Sequence, residues 1–153
     1  MNIVLDSCIL GKLCHPKSEE NKPIALFIIK LLEKYNKDVN IIIPEISDYE
    51  LRRELIRLAK KNNNYTSINR LDQFKKELEY LPLNTKTIQK AAELWAEARI
   101  CGKKTCDNKA LDGDVIISAQ TLEVNGTIIT TNTKHFSMFV AAKTFEEINK
   151  LYP

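Results

Sequence analysis

Glycine is scarce in this chain. There are four in 153 residues, and nowhere do they form the glycine-rich loop that cradles a phosphate. P-loop and dinucleotide-binding chemistries depend on such loops, so their absence argues against both. Aromatic residues make up 7% and are scattered, without the spacing of a base-stacking platform, so aromatic RNA-binding modules are not indicated. Histidine occurs twice, as His15 and His135, and nothing like G-x-S-x-G accompanies them to support a nucleophilic triad. The four cysteines (Cys8, Cys14, Cys101 and Cys106) contain no C-x-x-C pair. Cys101 and Cys106 have no second pair to complete a zinc site, and reduced thiols are expected. Long apolar runs are missing too. Ile24 to Leu32 is interrupted by Lys30 and is too short to span a bilayer. A strand carrying a carboxylate opens the chain where a signal peptide would lie, so no membrane association and a cytoplasmic location are expected.

What is present is ordinary for a globular protein: 44% hydrophobic residues and 28% charged. The length suits a single domain, 1–153, with a proper core. Net charge is +3. Between Arg52 and Tyr80 lie eight Lys or Arg against four acids. Such a stretch can track a phosphate backbone, but taken alone it reads as a solvated helical face.

The pattern predicts alternating strands and helices. Ile3 to Asp6 reads as a buried strand, followed by a loop through Pro16. Pro23 suits the first turn of a helix to about Tyr35. Ile41-Ile42-Ile43 is a second buried strand, ended by Pro44. Leu51, Leu55 and Leu58 then mark one helix face, and a further helix covers about Ile68 to Glu79. Leu81 to Leu83 reads as a short edge strand. Asn84 or Thr85 caps a helix to about Ile100, with Ala91, Leu94, Trp95 and Ala98 as its apolar stripe. After a charged loop, Cys101 to Ala110, Asp112 reads as the N-cap of a helix that Gly126 stops. Thr127 to Thr131 is a β-branched strand. A short strand near Ala142-Lys143 and a helix over Phe145 to Leu151 close the chain. The fold class expected is α/β, a three-layer α/β/α sandwich around a central, mostly parallel sheet.

Four acids stand out. Asp6 ends the first strand, and the carboxyl ends of parallel strands line the crevice where such sheets bind ligands. It also suits a helix cap. Glu50 completes a capping box with Ser47; if the helix starts at Pro44 or Glu45, it lies mid-helix and free to face a cleft. Asp112 and Asp114 open an apolar helix, where the macrodipole favours carboxylates. Asp114 directly precedes residues that must be buried, and a half-buried carboxylate calls for a cation. Thr131 and Asn132 fall at the same sheet edge, as ligands or as turn residues.

These segments together resemble a known family. V-L-D-S at 4–7, I-P-E-I-S-D-Y-E-L-R-R-E at 43–54, L-D-G-D-V-I-I-S-A-Q at 111–120 and T-I-I-T-T-N-T-K-H-F at 127–136 resemble PIN-domain ribonucleases, most nearly the VapC-like toxins of bacterial toxin–antitoxin pairs. The resemblance spans nearly the whole chain. It implies an acidic site that holds Mg2+ or Mn2+ and cleaves RNA, an antitoxin partner and a homodimer. Asp6, Glu50 and Asp114 match the family's acids, with Asp112 as companion and Ser7, Thr131 and Asn132 as accessories. Asn132 stands where a fourth acid is usual, which leaves one metal or two open. Lys103, Lys104 and Lys109 join the 52–76 stretch as possible backbone contacts. Haloacid-dehalogenase-like phosphatases require a second Asp where Cys8 stands. A non-catalytic PIN-like module binding RNA or protein is the remaining alternative.

Overall fold

The computed structural model describes residues 1–15, 17–102 and 108–153, with side chains from 111 onward in the last segment. Lys103, Lys104, Cys106 and the side chain of Lys109 lie outside the described residues. The elements run β1 (Asn2–Leu5), α1 (Ser7–Cys14), α2 (Lys22–Lys34), β2 (Asn40–Pro44), α3 (Glu45–Asn62), α4 (Thr66–Glu77), β3 (Glu79–Leu81), α5 (Thr85–Ile100), α6 (Asn108–Glu123), β4 (Thr127–Ile129), β5 (Ala142–Lys143) and α7 (Phe145–Leu151). Every pairing in the sheet is parallel, and its order is β3-β2-β1-β4-β5. The expected α/β sandwich is what forms.

The layers follow from strand alternation, in which successive side chains point to opposite faces. Ile3, Leu5, Ile41, Ile43 and Ile129 face one side, where Leu10, Phe27, Leu55, Leu71 and Ile148 bring in α1, α2, α3, α4 and α7. Val4, Ile42 and Ile128 face the other, packed by Ile46, Ile117 of α6 and Phe136. α5 lies outside α6, joined through Ala91, Leu94 and Ala98 against Leu111, Val115 and Ala119. Trp95, expected in that stripe, is instead 38% exposed. No helix among the described residues is long and apolar enough to cross a membrane.

Several expected boundaries move, each for a local reason. The segment after Asp6 is a helix, not a loop; Ile9, Leu10, Leu13 and Cys14 bury one face of α1, and Gly11 inside it masked the pattern. The edge strand sits at Glu79–Leu81 rather than 81–83. Tyr80 pairs with Ile43 there, and Pro82, which has no N–H to give, falls outside the ladder. α6 starts at Asn108, so Asp112 is an interior residue of that helix and not its N-cap. After α6, which Gly126 was expected to stop, it is Asn125 that takes the left-handed conformation, at φ 49°. Gly126 serves packing instead, since a Cβ there would come within 3.0 Å of Val4 Cγ2.

The start of α3 removes the capping-box reading of Glu50. Pro44 takes the N-cap position and Glu45 begins the helix, so Ser47 already lies inside the first turn and no capping box forms. A distant residue serves one backbone donor of the first turn. Gln120 of α6, fully buried, accepts from Ile46 N at 3.3 Å and donates to the Leu81 carbonyl at 2.7 Å. Further along α3, Asp48 is 4% exposed yet receives Arg52 Nε at 2.9 Å, Lys75 Nζ at 3.1 Å and the Tyr80 hydroxyl at 3.1 Å. Burial and the Asp48 charge hold the Tyr80 hydroxyl well above its ordinary pKa, so it remains a donor. Much of the basic stretch is thus consumed by the fold, with Arg70 bonded to the Cys14 carbonyl and Arg57 to Glu54.

Gln120→Leu keeps the volume and removes both hydrogen bonds, leaving Ile46 N–H and the Leu81 carbonyl unpaired. Urea unfolding is expected to show a loss of about 2–3 kcal/mol at an unchanged m-value. A loss indistinguishable from zero would mean that the amide does not anchor α3.

Candidate active site

The chain leaves β1 for β2 and β3 on one side of the sheet and returns as β4 on the other. The carboxyl ends of β1 and β4 therefore flank the switch point, where open α/β sheets bind ligands. Asp6 stands there, directly after β1. Its backbone takes the N-cap conformation of α1, and its carbonyl accepts from Ile9 and Leu10 N, each at 3.0 Å. Its carboxylate makes no cap bond. Instead Oδ2 receives the Thr130 hydroxyl at 2.6 Å and the Cys8 thiol at 3.1 Å, while Oδ1 meets Ser7 Oγ at 3.3 Å. Thr130, 1% exposed just past β4, thus ties the two strand ends together.

Asp6 shares a cleft of about 420 Å3 with Ser7, Glu50, Arg53, Asp114, Asn132, His135 and Phe136. Glu50 enters from the second turn of α3. Burial raises its pKa first; a hydrogen bond from Ser7 and the charge of Arg53 work against that, and the charges of Asp6 and Asp114 add to it. α6 reaches the cleft through Gly113, which lies so close that a Cβ there would collide with Glu50 Oε1. Asp114 follows, half-buried as expected, with its Oδ2 3.4 Å from His135 Nδ1.

The site therefore gathers Asp6, Glu50, Asp114, Ser7 and Asn132. Asp112 is not among them: it is exposed and lines a groove with Ile88 and Trp95 between α5 and α6. Thr131 is exposed beside the cleft, its hydroxyl 3.4 Å from Cys8 Sγ. Sequence reasoning missed Gly113, Cys8 and His135 as parts of this site. His135 had carried a signal in its place three residues after Asn132, in the 3-10 turn Thr133–His135 that aims it back at Asp114. Of the basic stretch, Arg53 is the member that lines the cleft. Cys8, Cys14 and Cys101 are free thiols. Burial pushes the Cys14 thiol up to about 12 and also raises that of Cys8.

Carboxylate oxygens are the donors that Mg2+ and Mn2+ prefer, so the donor chemistry suits such an ion. The acids are nevertheless spread around the cleft. Among the described residues no three His, Cys, Asp or Glu stand close enough to form a finished ligand group. An ion held here takes few protein ligands at once, which suits Mg2+, since it keeps waters and substrate phosphates in its shell.

Residues 3–139 match the family model of the PIN domain. No curated protein matches the sequence. Among solved structures, the chain is similar to one of VapBC2 from Rickettsia felis bound to a DNA fragment from their promoter, with 21% identity and a TM-score of 0.71 over 95% of this chain and 99% of that one. It is also similar to VapBC-1 from nontypeable Haemophilus influenzae, at 19% identity and a TM-score of 0.67 over 95% and 99%. A toxin–antitoxin complex from Klebsiella pneumoniae gives 19% identity and a TM-score of 0.60 over 93% and 96%. At these identities the likeness is one of fold.

A Glu with a raised folded pKa costs stability wherever it is ionised, and that cost vanishes below its unfolded pKa. Glu50→Gln removes it. The variant is expected to melt above wild type at about pH 8, with the difference shrinking as pH falls through the raised pKa toward the ordinary glutamate range. Equal melting temperatures across that range would show that the cleft exacts no cost for the buried Glu50 charge.

Proposed function

Because the chain belongs to the PIN domain family, we propose that it is a divalent-metal-dependent endoribonuclease, the toxin of a toxin–antitoxin pair. The observation that carries this reading is the meeting of Asp6, Glu50 and Asp114, from β1, α3 and α6, in one cleft at the switch point of the sheet. Asp6 spends no charge on capping its helix, and Glu50 is held where ionisation is costly. A cation resolves both. The three carboxylates would hold Mg2+ or Mn2+, which supplies Lewis-acid stabilisation of the attacked phosphate and an activated water. Thr130 and Cys8 fix one oxygen of Asp6 with neutral donors, so the carboxylate is oriented without being neutralised. Gly113 gives Glu50 its room, and His135 stands against Asp114. Asn132 would offer an amide where a fourth acid is usual, a donor set suited to one tightly held ion.

The fold shared with VapBC and toxin–antitoxin structures supports an antitoxin partner. A homodimer and a cytoplasmic location complete the proposal as what the family resemblance implies. One observation favours a second reading, a non-catalytic RNA- or protein-binding module: among the described residues the acids form no finished ligand group.

Protein purified free of any antitoxin is expected to cut RNA, to stop in EDTA and to recover with added Mg2+ or Mn2+. Activity unaffected by EDTA would remove the metal. Asp114→Asn is expected to abolish cleavage with an unchanged circular-dichroism spectrum, whereas Asp112→Asn, outside the cleft, should cleave like wild type. The reverse pattern would exchange their roles.

Gly113→Ala removes no carboxylate but drives that of Glu50 from its position. Calorimetric titration with Mn2+ is expected to show affinity weakened by roughly 10–100-fold, the range for changes beside a metal ligand. Wild-type affinity would mean that Glu50 does not reach the ion.

A further inference from the structure

Arg53 lines the cleft without being an oxygen donor, and Tyr49 lies against it on the same helix. They lie one turn apart on α3 and bracket Glu50. Tyr49 is 58% exposed, unusual for so large a ring. The Arg53 guanidinium sits over that ring, 5.4 Å from its centroid, and also lines the cleft. Its neighbours on the helix are engaged, Arg52 with Asp48 and Asp72 and Arg57 with Glu54, whereas Arg53 forms no ion pair among the described residues. A cleft walled by three carboxylates repels a phosphodiester. A cation at its mouth, held in place by an aromatic ring, is the group that admits one.

We infer that Tyr49 and Arg53 form a nucleotide subsite beside the acids: the ring stacks a base of single-stranded RNA, and the guanidinium holds a backbone phosphate next to that base. Stacking on an exposed ring suits any base, because every base has a π face. The subsite therefore sets affinity and register on the strand more than sequence choice. The competing explanation is an ordinary cation–π pair that steadies the helix surface, or a patch that touches a protein partner. Neither links Tyr49 to RNA. The inference rests on the ribonuclease reading, and its test separates the two.

Four 12-nucleotide RNAs, each of a single base and carrying a 5′ fluorescein, are titrated with protein in EDTA at several salt concentrations and followed by anisotropy. Cleavage of the same RNAs is then measured with Mg2+. Wild type is expected to bind and cut at least one of them. Tyr49→Ala should weaken binding about tenfold, with the salt dependence unchanged and Mn2+ affinity intact, and Tyr49→Trp should restore it. Arg53→Gln should weaken binding and lower the slope of log affinity against log salt by about 0.7, the share of one phosphate on a single strand. Wild-type RNA affinity in a folded Tyr49→Ala variant, or no rescue by Tyr49→Trp, overturns the subsite and leaves the ribonuclease standing. If wild type neither binds nor cuts any of the four, the ribonuclease reading falls and the subsite with it.

Discussion

The position of β1 constrains everything else in this molecule. It pairs in parallel with β2 on one side and β4 on the other, so three strands end at the same edge. Asp6, the start of α3 and Thr130 are therefore neighbours although they are far apart in the chain. The Thr130 hydroxyl at 2.6 Å from Asp6 Oδ2 is the local expression of that register. A slip of one residue would turn Ile3 and Leu5 to the wrong face of the sheet and separate the pair.

Around that edge the protein solves an electrostatic conflict. Bringing carboxylates into a half-buried cleft raises the free energy of ionising them, as Glu50 records. A salt bridge would relieve the strain but would also cancel the charge. The groups that touch Asp6 are neutral: Thr130, Cys8 and Ser7 donate hydrogen bonds and orient the carboxylate without adding a cation. Cations stand one step further out, with Arg53 beside Glu50. Asp48 shows the opposite arrangement. It is buried like a core residue, and Arg52 and Lys75 both contact it. Its charge is committed to joining α3 to α4, and Tyr80 adds β3.

The cleft can carry strain because its supports lie outside it. Gln120 bonds Ile46 in the first turn of α3, and the Asp48 cluster ties the same helix to α4 and β3. Glu50 follows in the second turn, where Gly113 on α6 leaves room for its carboxylate.

Much of this was legible in the sequence. Local apolar periodicity placed β1, α2, β2, α5, β5 and α7, because those signals are set by residues adjacent in the chain. The parallel α/β class followed from their alternation, and the acids at the strand ends and before the apolar helix were visible as charge where burial was expected. The misplaced boundaries had separate local causes: Gly11 hid the buried face of α1, Pro82 fell outside the β3 ladder, and α6 had begun before Asp112. Tertiary contact alone decided the rest. Ser47 and Glu50 had the spacing of a capping box, and Asp112, two residues before Asp114, read as the N-cap of a helix that in fact begins at Asn108. Which acid faces the cleft depends on where a helix begins and on the angle at which its turns meet a neighbour, and the chain specifies these only through partners such as Gln120, some seventy residues from the helix it caps. Spacing along a chain determines which face of a helix a residue shares, and packing alone determines what that face meets.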